Sequence, residues 1–188
     1  MKKEVNDLLN VIGPQTFTES DIRIEIQMAI DGPLAAFSAA PRLSPRKIRA
    51  HFDLNSPEQV QVKVDAYSFE VISDGVSASD QEKIAELVSE RILQSDQFPQ
   101  IEFTSTVTSI RTECHPFSVV VVGSLLLRGV KKELDLVFKH QNNQLLSHFT
   151  LNQSDFNIAP MTSMMGALRC KDELKLSIAI TLKKNGIS

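Results

Sequence analysis

Leu174, Leu176, Ile178, Ile180 and Leu182 stand at every second position, set against Lys175, Ser177, Thr181 and Lys183. A period of two is what a half-buried antiparallel strand imposes, because successive side chains leave opposite faces of the sheet. The same period recurs in Ile22, Ile24, Ile26, Met28 and Ile30, and in Ile48, Ala50, Phe52 and Leu54. It returns in Val60, Val62, Val64, Ala66 and Ser68, and again in Leu134, Leu136 and Phe138. Parallel strands, buried on both faces, would read as unbroken apolar runs instead.

Turn signals separate these runs: Asp31-Gly32-Pro33, Asn55-Ser56-Pro57, Ser73-Asp74-Gly75, Gln141-Asn142-Asn143 and Met165-Gly166. Asn142-Asn143 reads as a hairpin loop, since Asn tolerates left-handed backbone angles. One long helix interrupts the pattern. Ser79 is expected as its N-cap with Glu82 three residues on. Ile84, Leu87, Val88, Arg91 and Ile92 follow at helical spacing, while Glu82, Lys83, Glu86 and Glu90 form the wet side. The expected span is about 80–94, with a shorter helix over 4–11. Pro99 lacks a backbone donor and suits the first position of a strand, in which Ile101 and Phe103 oppose Gln100, Glu102 and Thr104. Val119 to Leu127 is apolar on both parities, so that strand needs cover on both sides, with the helix packed outside it.

A consecutive run of roughly eight to ten strands escapes the edge problem best by closing on itself. The expectation is therefore a mainly β fold, an antiparallel up-and-down barrel of about eight strands with one amphipathic helix outside. All 188 residues are read as a single domain.

The chemistry-bearing residues are sparse. A net charge of −3 disfavours a nucleic-acid partner, and the densest basic cluster, Arg42, Arg46, Lys47 and Arg49, reads as a solvated strand end. Cys114 and Cys170 have no metal spacing and read as free thiols. His51 and His148 fall on polar parities, and His115 beside Cys114 and Pro116 reads as a turn. No phosphate loop, metal motif or nucleophile elbow is present, so no catalytic residue, metal or cofactor is expected. The longest apolar run is too short to span a bilayer, and the polar Glu4, Asn6 and Asp7 interrupt any signal-peptide core. A cytoplasmic location is expected, or a periplasmic one if a leader has been removed. A homodimer is the default oligomer. Met161, Met164 and Met165 cluster after Phe156, Ile158 and Pro160, where thioethers could fill a barrel mouth or adapt to an apolar guest. Ten Phe against one Tyr and no Trp favour a lumen without hydrogen-bonding groups.

Several segments resemble the YceI-like family of lipocalin-like, polyisoprenoid-binding barrels. They are the helix opening at Asp80 and ending at Ile92-Leu93, then Phe98-Pro99-x-Ile101-x-Phe103-x-Ser105. Val122-Gly123-x-Leu125-x-Leu127-x-Gly129-Val130 is similar to the family's Gly-x-Leu strand and Gly turn. Ser154-Asp155-Phe156-x-Ile158, followed by Gly166-Ala167-Leu168 and Asp172, resembles its C-terminal pattern. The chain departs from the pattern in carrying Arg128 where members often have His, and Asn157 in place of Gly. It also carries Ser38-Ala39-Ala40-Pro41 where one branch has a His-containing stretch.

The resemblance implies non-enzymatic binding of a long apolar lipid, a polyisoprenoid or a fatty acid or its amide, inside the barrel. The lumen contacts expected on that basis are Ile24, Ile26, Met28, Phe52, Val62, Ile101, Phe103, Leu136, Phe149, Phe156, Met161, Ile178 and Ile180. Two other classes remain open. One is a structural or interaction protein whose barrel is filled by its own side chains. The other is a small hydrolase or isomerase using Asp155, Asp172 or Arg128 at the barrel mouth.

Overall fold

The computed structural model describes residues 15–33, 35, 40–52, 60–111, 117–163, 165 and 167–182. The helix expected over 4–11, the Asn55-Ser56-Pro57 turn, and Cys114, His115 and Met164 lie outside them. The strands are β1 (Gln15–Thr18), β2 (Ile22–Asp31), β3 (Arg42–Pro45), β4 (Ile48–Phe52), β5 (Gln61–Asp65) and β6 (Phe69–Val71). Helix α1 (Ala78–Leu87) runs on into a π-helical turn, Val88–Leu93. Then come β7 (Gln100–Arg111), β8 (Ser118–Leu127), β9 (Val130–Gln141), β10 (Gln144–Asn152), a 3-10 turn at Gln153–Phe156, β11 (Thr162–Ser163) and β12 (Leu168–Thr181).

These strands form one antiparallel sheet along the path β1-β4-β5-β7-β8-β9-β10-β12-β2-β3-β6, with β11 attached to β12. The sheet curls into a half-barrel around a continuous apolar core. The expected count of about eight strands is too low, because the ribbons bend. Between β3 and β4 the chain breaks step at Arg46 and Lys47. There the Arg46 N–H donates to the Ser68 carbonyl at 2.9 Å and the Lys47 N–H to Ser68 Oγ at 3.1 Å. Ser68 itself lies between β5 and β6, so the bend passes across neighbouring ribbons and divides both.

Two tight hairpins fix the register around the helix-covered end and its opposite. Asn142 and Asn143 join β9 to β10 with φ of 49° and 62°, the left-handed pair a type I′ turn requires. Arg128 and Gly129 join β8 to β9 with φ of 49° and 73°. The Phe98 ring lies on Gly129, where an added Cβ would stand 2.9 Å from Phe98 Cε1. Asn157, in the place where the family pattern has Gly, adopts φ 57°. Asn is the residue after Gly best able to hold that conformation.

The helix begins two residues earlier than expected. Ser77, not Ser79, is the N-cap, and its hydroxyl oxygen accepts from the Asp80 N–H at 3.2 Å. The Asp80 carboxyl lies below its usual range, held first by the Ser77 hydroxyl and then by Lys83. Both candidates are serines followed three residues on by an acid, so spacing alone does not separate them. The helix also packs differently: α1 lies beside β6, and Val88, Ile92 and Leu93 face inward.

Strand β7 contains a bulge. Ser105 pairs with Gly123 and Val107 with Val122, leaving Thr106 as the extra residue. Ile101, Phe103 and Ser105 share the inner face, but beyond the bulge the parity reverses. Val107 is exposed, and Thr108 stands opposite the buried Val121. Gly123 permits this crowding. A Cβ there would lie 2.5 Å from the Thr104 carbonyl oxygen and 2.8 Å from Ser105 Cα. At the other end of the same strands, the His140 ring stacks on Phe117 with centroids 4.5 Å apart. Burial pushes the His140 imidazole below its ordinary value.

Gly123→Ala is expected to destabilise the fold by about 1–3 kcal/mol, as overpacking against backbone does, read as a lower urea midpoint. For His140 the folded state holds the neutral ring, so its contribution is present above the unfolded-chain value near pH 6.5 and is lost as pH falls through the folded one. His140→Phe should accordingly show a smaller fall in urea midpoint than the parent between pH 7.5 and 5.

Candidate functional site

Strand register stacks the inner face in layers. Ile22, Ile180 and Leu145 lie opposite one another across β2, β12 and β10. The next layers are Ile24, Ile178 and Ser147, then Ile26, Leu176 and Phe149, then Met28, Leu174 and Leu151. On the facing wall Val62 pairs with Phe103 and Phe103 with Leu125, while Val64 pairs with Ile101. Leu136 and Phe138 of β9 complete the circuit, and Val88, Ile92 and Leu93 of the helical segment cover it.

Between these walls lies a cavity of about 190 Å³. An apolar hole of about 150 Å³ already stays dry and admits benzene, so this one favours a hydrocarbon over water. Every lining side chain is apolar except Gln153, and among the described residues none that line it is ionisable. Such a surface can bury a greasy chain. It offers no acid, base, nucleophile or metal ligand.

The structure brings together Ile24, Ile26, Met28, Phe52, Val62, Ile101, Phe103, Leu136, Phe149, Ile178 and Ile180 on this lining. Phe156 and Met161 are placed elsewhere. Phe156 is buried at the end of the 3-10 turn, outside the cavity wall. The Met161 carbonyl accepts from the Cys170 N–H at 2.8 Å, which ties that segment to β12 rather than to the lumen. Met165 is fully exposed.

The helix does not pack on the outer face of β8 as expected but lines the lumen, which adds Val88, Ile92 and Leu93. Their helical stripe was visible in the sequence, although its partner was not. Leu125, Leu127, Leu134, Leu174 and Leu176 were also missed. For Leu125 and Leu127 the apolar residues on both parities of β8 hide which face is inward. Gln153 was missed as well, although it continues the parity of Leu145, Phe149 and Leu151.

The polar candidates serve structure. The Asp172 carboxylate accepts from the Ser154 N–H at 2.8 Å and from Ser154 Oγ at 2.5 Å, tying the 3-10 turn to β12. Arg128 Nη1 donates to the Asn157 carbonyl at 3.2 Å, and Asp155 lies 4.0 Å from Lys132. None of the three lines the cavity. His51 is exposed on β4, and exposed His148 holds Ser177 Oγ at 3.0 Å. Among the described residues, no group of three or more His, Cys, Asp or Glu could hold a metal ion. No helix among them is long and apolar enough to cross a membrane.

Solved structures share this fold at low identity. BcnA of Burkholderia cenocepacia superposes with a TM-score of 0.59 at 14% identity, covering 86% of this chain and 96% of that one. A polyisoprenoid-binding domain from Saccharophagus degradans, implicated in plant cell wall breakdown, gives 0.61 at 8% identity, covering 92% and 99%. The Campylobacter jejuni YCEI protein gives 0.52 at 17% identity, covering 76% and 85%. No curated protein sequence matches the chain. The sequence profile of the YceI-like domain matches residues 18–182, from the end of β1 to just past β12. With that match over the same strands that build the apolar cavity, the chain belongs to the YceI-like family.

Proposed function

We propose that this protein binds a long-chain apolar lipid, a polyisoprenoid or a fatty acid or its amide, within the half-barrel, and that it does so without chemical turnover. The observation that carries this reading is the lining, apolar in every described side chain but Gln153 and contributed by strands on every side and by the helical segment. The name of the Saccharophagus degradans domain, a polyisoprenoid-binding one, supports it, as does a family of binding domains rather than of known enzymes. Each methylene buried contributes roughly 0.8 kcal/mol, so a long chain gains affinity without a charged anchor. The ligand contacts on this reading are the lining residues Ile24, Ile26, Met28, Phe103, Phe149 and Ile178, with their neighbours in the same layers. The unbranched Met28 thioether adapts as the chain is seated.

A barrel filled by its own side chains is the competing reading. The observation favouring it is the modest free volume of about 190 Å³ left between large aliphatic groups. Extraction of the purified protein with organic solvent followed by mass spectrometry separates the two. A stoichiometric prenyl or acyl species is the expected result, and its repeated absence would favour the filled barrel.

Ile178→Asp places an unpaired charge among apolar neighbours and should abolish lipid uptake or cooperative folding. Lys175→Asp, exposed on the opposite face of β12, should change stability by no more than about 0.5 kcal/mol. If Ile178→Asp melts and takes up lipid like the parent, the lumen is not the binding site.

A further inference from the structure

Among the described residues that line the cavity, Gln153 is the single polar one. It is 4% exposed and opens the 3-10 turn one step beyond Leu151 on the inward parity of β10. Its Nε2 donates to the Lys171 carbonyl at 2.9 Å and approaches that of Asp172 at 3.5 Å. Carbonyl oxygens only accept, so the nitrogen of the amide must be the atom that faces them. The amide oxygen therefore faces away from β12, and no donor among the described residues reaches it. The Ser154–Asp172 pair fixes the turn against β12, so this orientation is held. With the nitrogen engaged by β12, the amide oxygen is the one side-chain acceptor that the described lining leaves open to a guest in the lumen.

We propose that Gln153 Oε1 recognises the polar end of the lumen ligand, and that this end is a neutral hydrogen-bond donor such as the hydroxyl of a long-chain primary alcohol. The inference rests on the lumen-binding reading above and narrows it. Carboxylate and phosphate oxygens would oppose the amide oxygen, and none of the described lining side chains is a cation that could offset their charge. A pure hydrocarbon or an ether would leave the amide oxygen unpaired. With the hydroxyl at Gln153, the tail runs along Leu151, Phe149 and Leu176 toward the far layers.

The test is calorimetric titration of the full-chain, solvent-stripped protein with farnesol and with farnesyl methyl ether, in which a methyl group replaces the donated proton. Farnesol should bind about fivefold more tightly, the usual worth of one net hydrogen bond. In Gln153→Met, whose fold is checked by circular dichroism, the preference should vanish through loss of farnesol affinity while the ether is bound as before. Equal binding of the two probes by the parent protein would overturn the inference and leave lumen binding standing, whatever the variant does. A preference that survives in a folded Gln153→Met would also overturn it. Binding of neither probe would remove the lumen reading and this one with it.

Discussion

Antiparallel pairing with a strict two-residue period is the constraint on which the rest depends. Once Ile178 stands opposite Ile24, and Leu176 opposite Ile26, every second residue of β12 from Leu174 to Ile180, and of β2 from Ile22 to Met28, is committed to the interior. A slip of one residue in either strand would turn the whole set outward. Hydrogen bonding alone does not choose between those registers. The burial of one parity does, helped by hairpins such as Asn142-Asn143 that admit a single loop length. The cavity is thus a by-product of sorting: what lies between the layers is whatever space branched aliphatic side chains fail to fill.

Much of this was legible in the residues, and the failures have physical causes. Alternation located most of the inner wall, and Asn142-Asn143 marked its hairpin because few residues tolerate two left-handed conformations in succession. Bends are a different matter. The break at Arg46 and Lys47 depends on Ser68 accepting both of their backbone N–H groups from twenty-odd residues away, a tertiary fact with no local signature. The stripe on the helical segment announces burial but cannot say against what, so an outer wall and an inner one look alike in sequence. Phe156 and Met161 obey composition rather than register: both are apolar and near the lumen in sequence, yet a 3-10 turn and an irregular segment carry no period to aim them. Gln153 is the converse, a polar residue on an apolar parity, easily dismissed as the end of a strand.

The chemistry follows from the same sorting. Charged groups that looked available, Arg128, Asp155 and Asp172, bind turns and strand ends to one another around the rim, and none of the described residues on the inner wall is titratable. On the proposed lipid-binding reading, recognition in such a space works by area, by length and by very few polar contacts. Selectivity then depends on the rare atom that is not hydrocarbon.

Thr106 has a consequence beyond its own strand. Because β7 carries one residue more than β8 requires, its two halves obey opposite reading frames, which is why Val107 is wet while Ile101 and Phe103 are dry. Losing the bulge while keeping the residue would turn the distal half of the ribbon inside out, because Thr106 would then stand opposite Val122, drawing Val107 inward and expelling Thr108. Excising Thr106 would do the opposite: Ser105 would run straight on to Val107, and both halves would keep the faces they now present, read in a single frame.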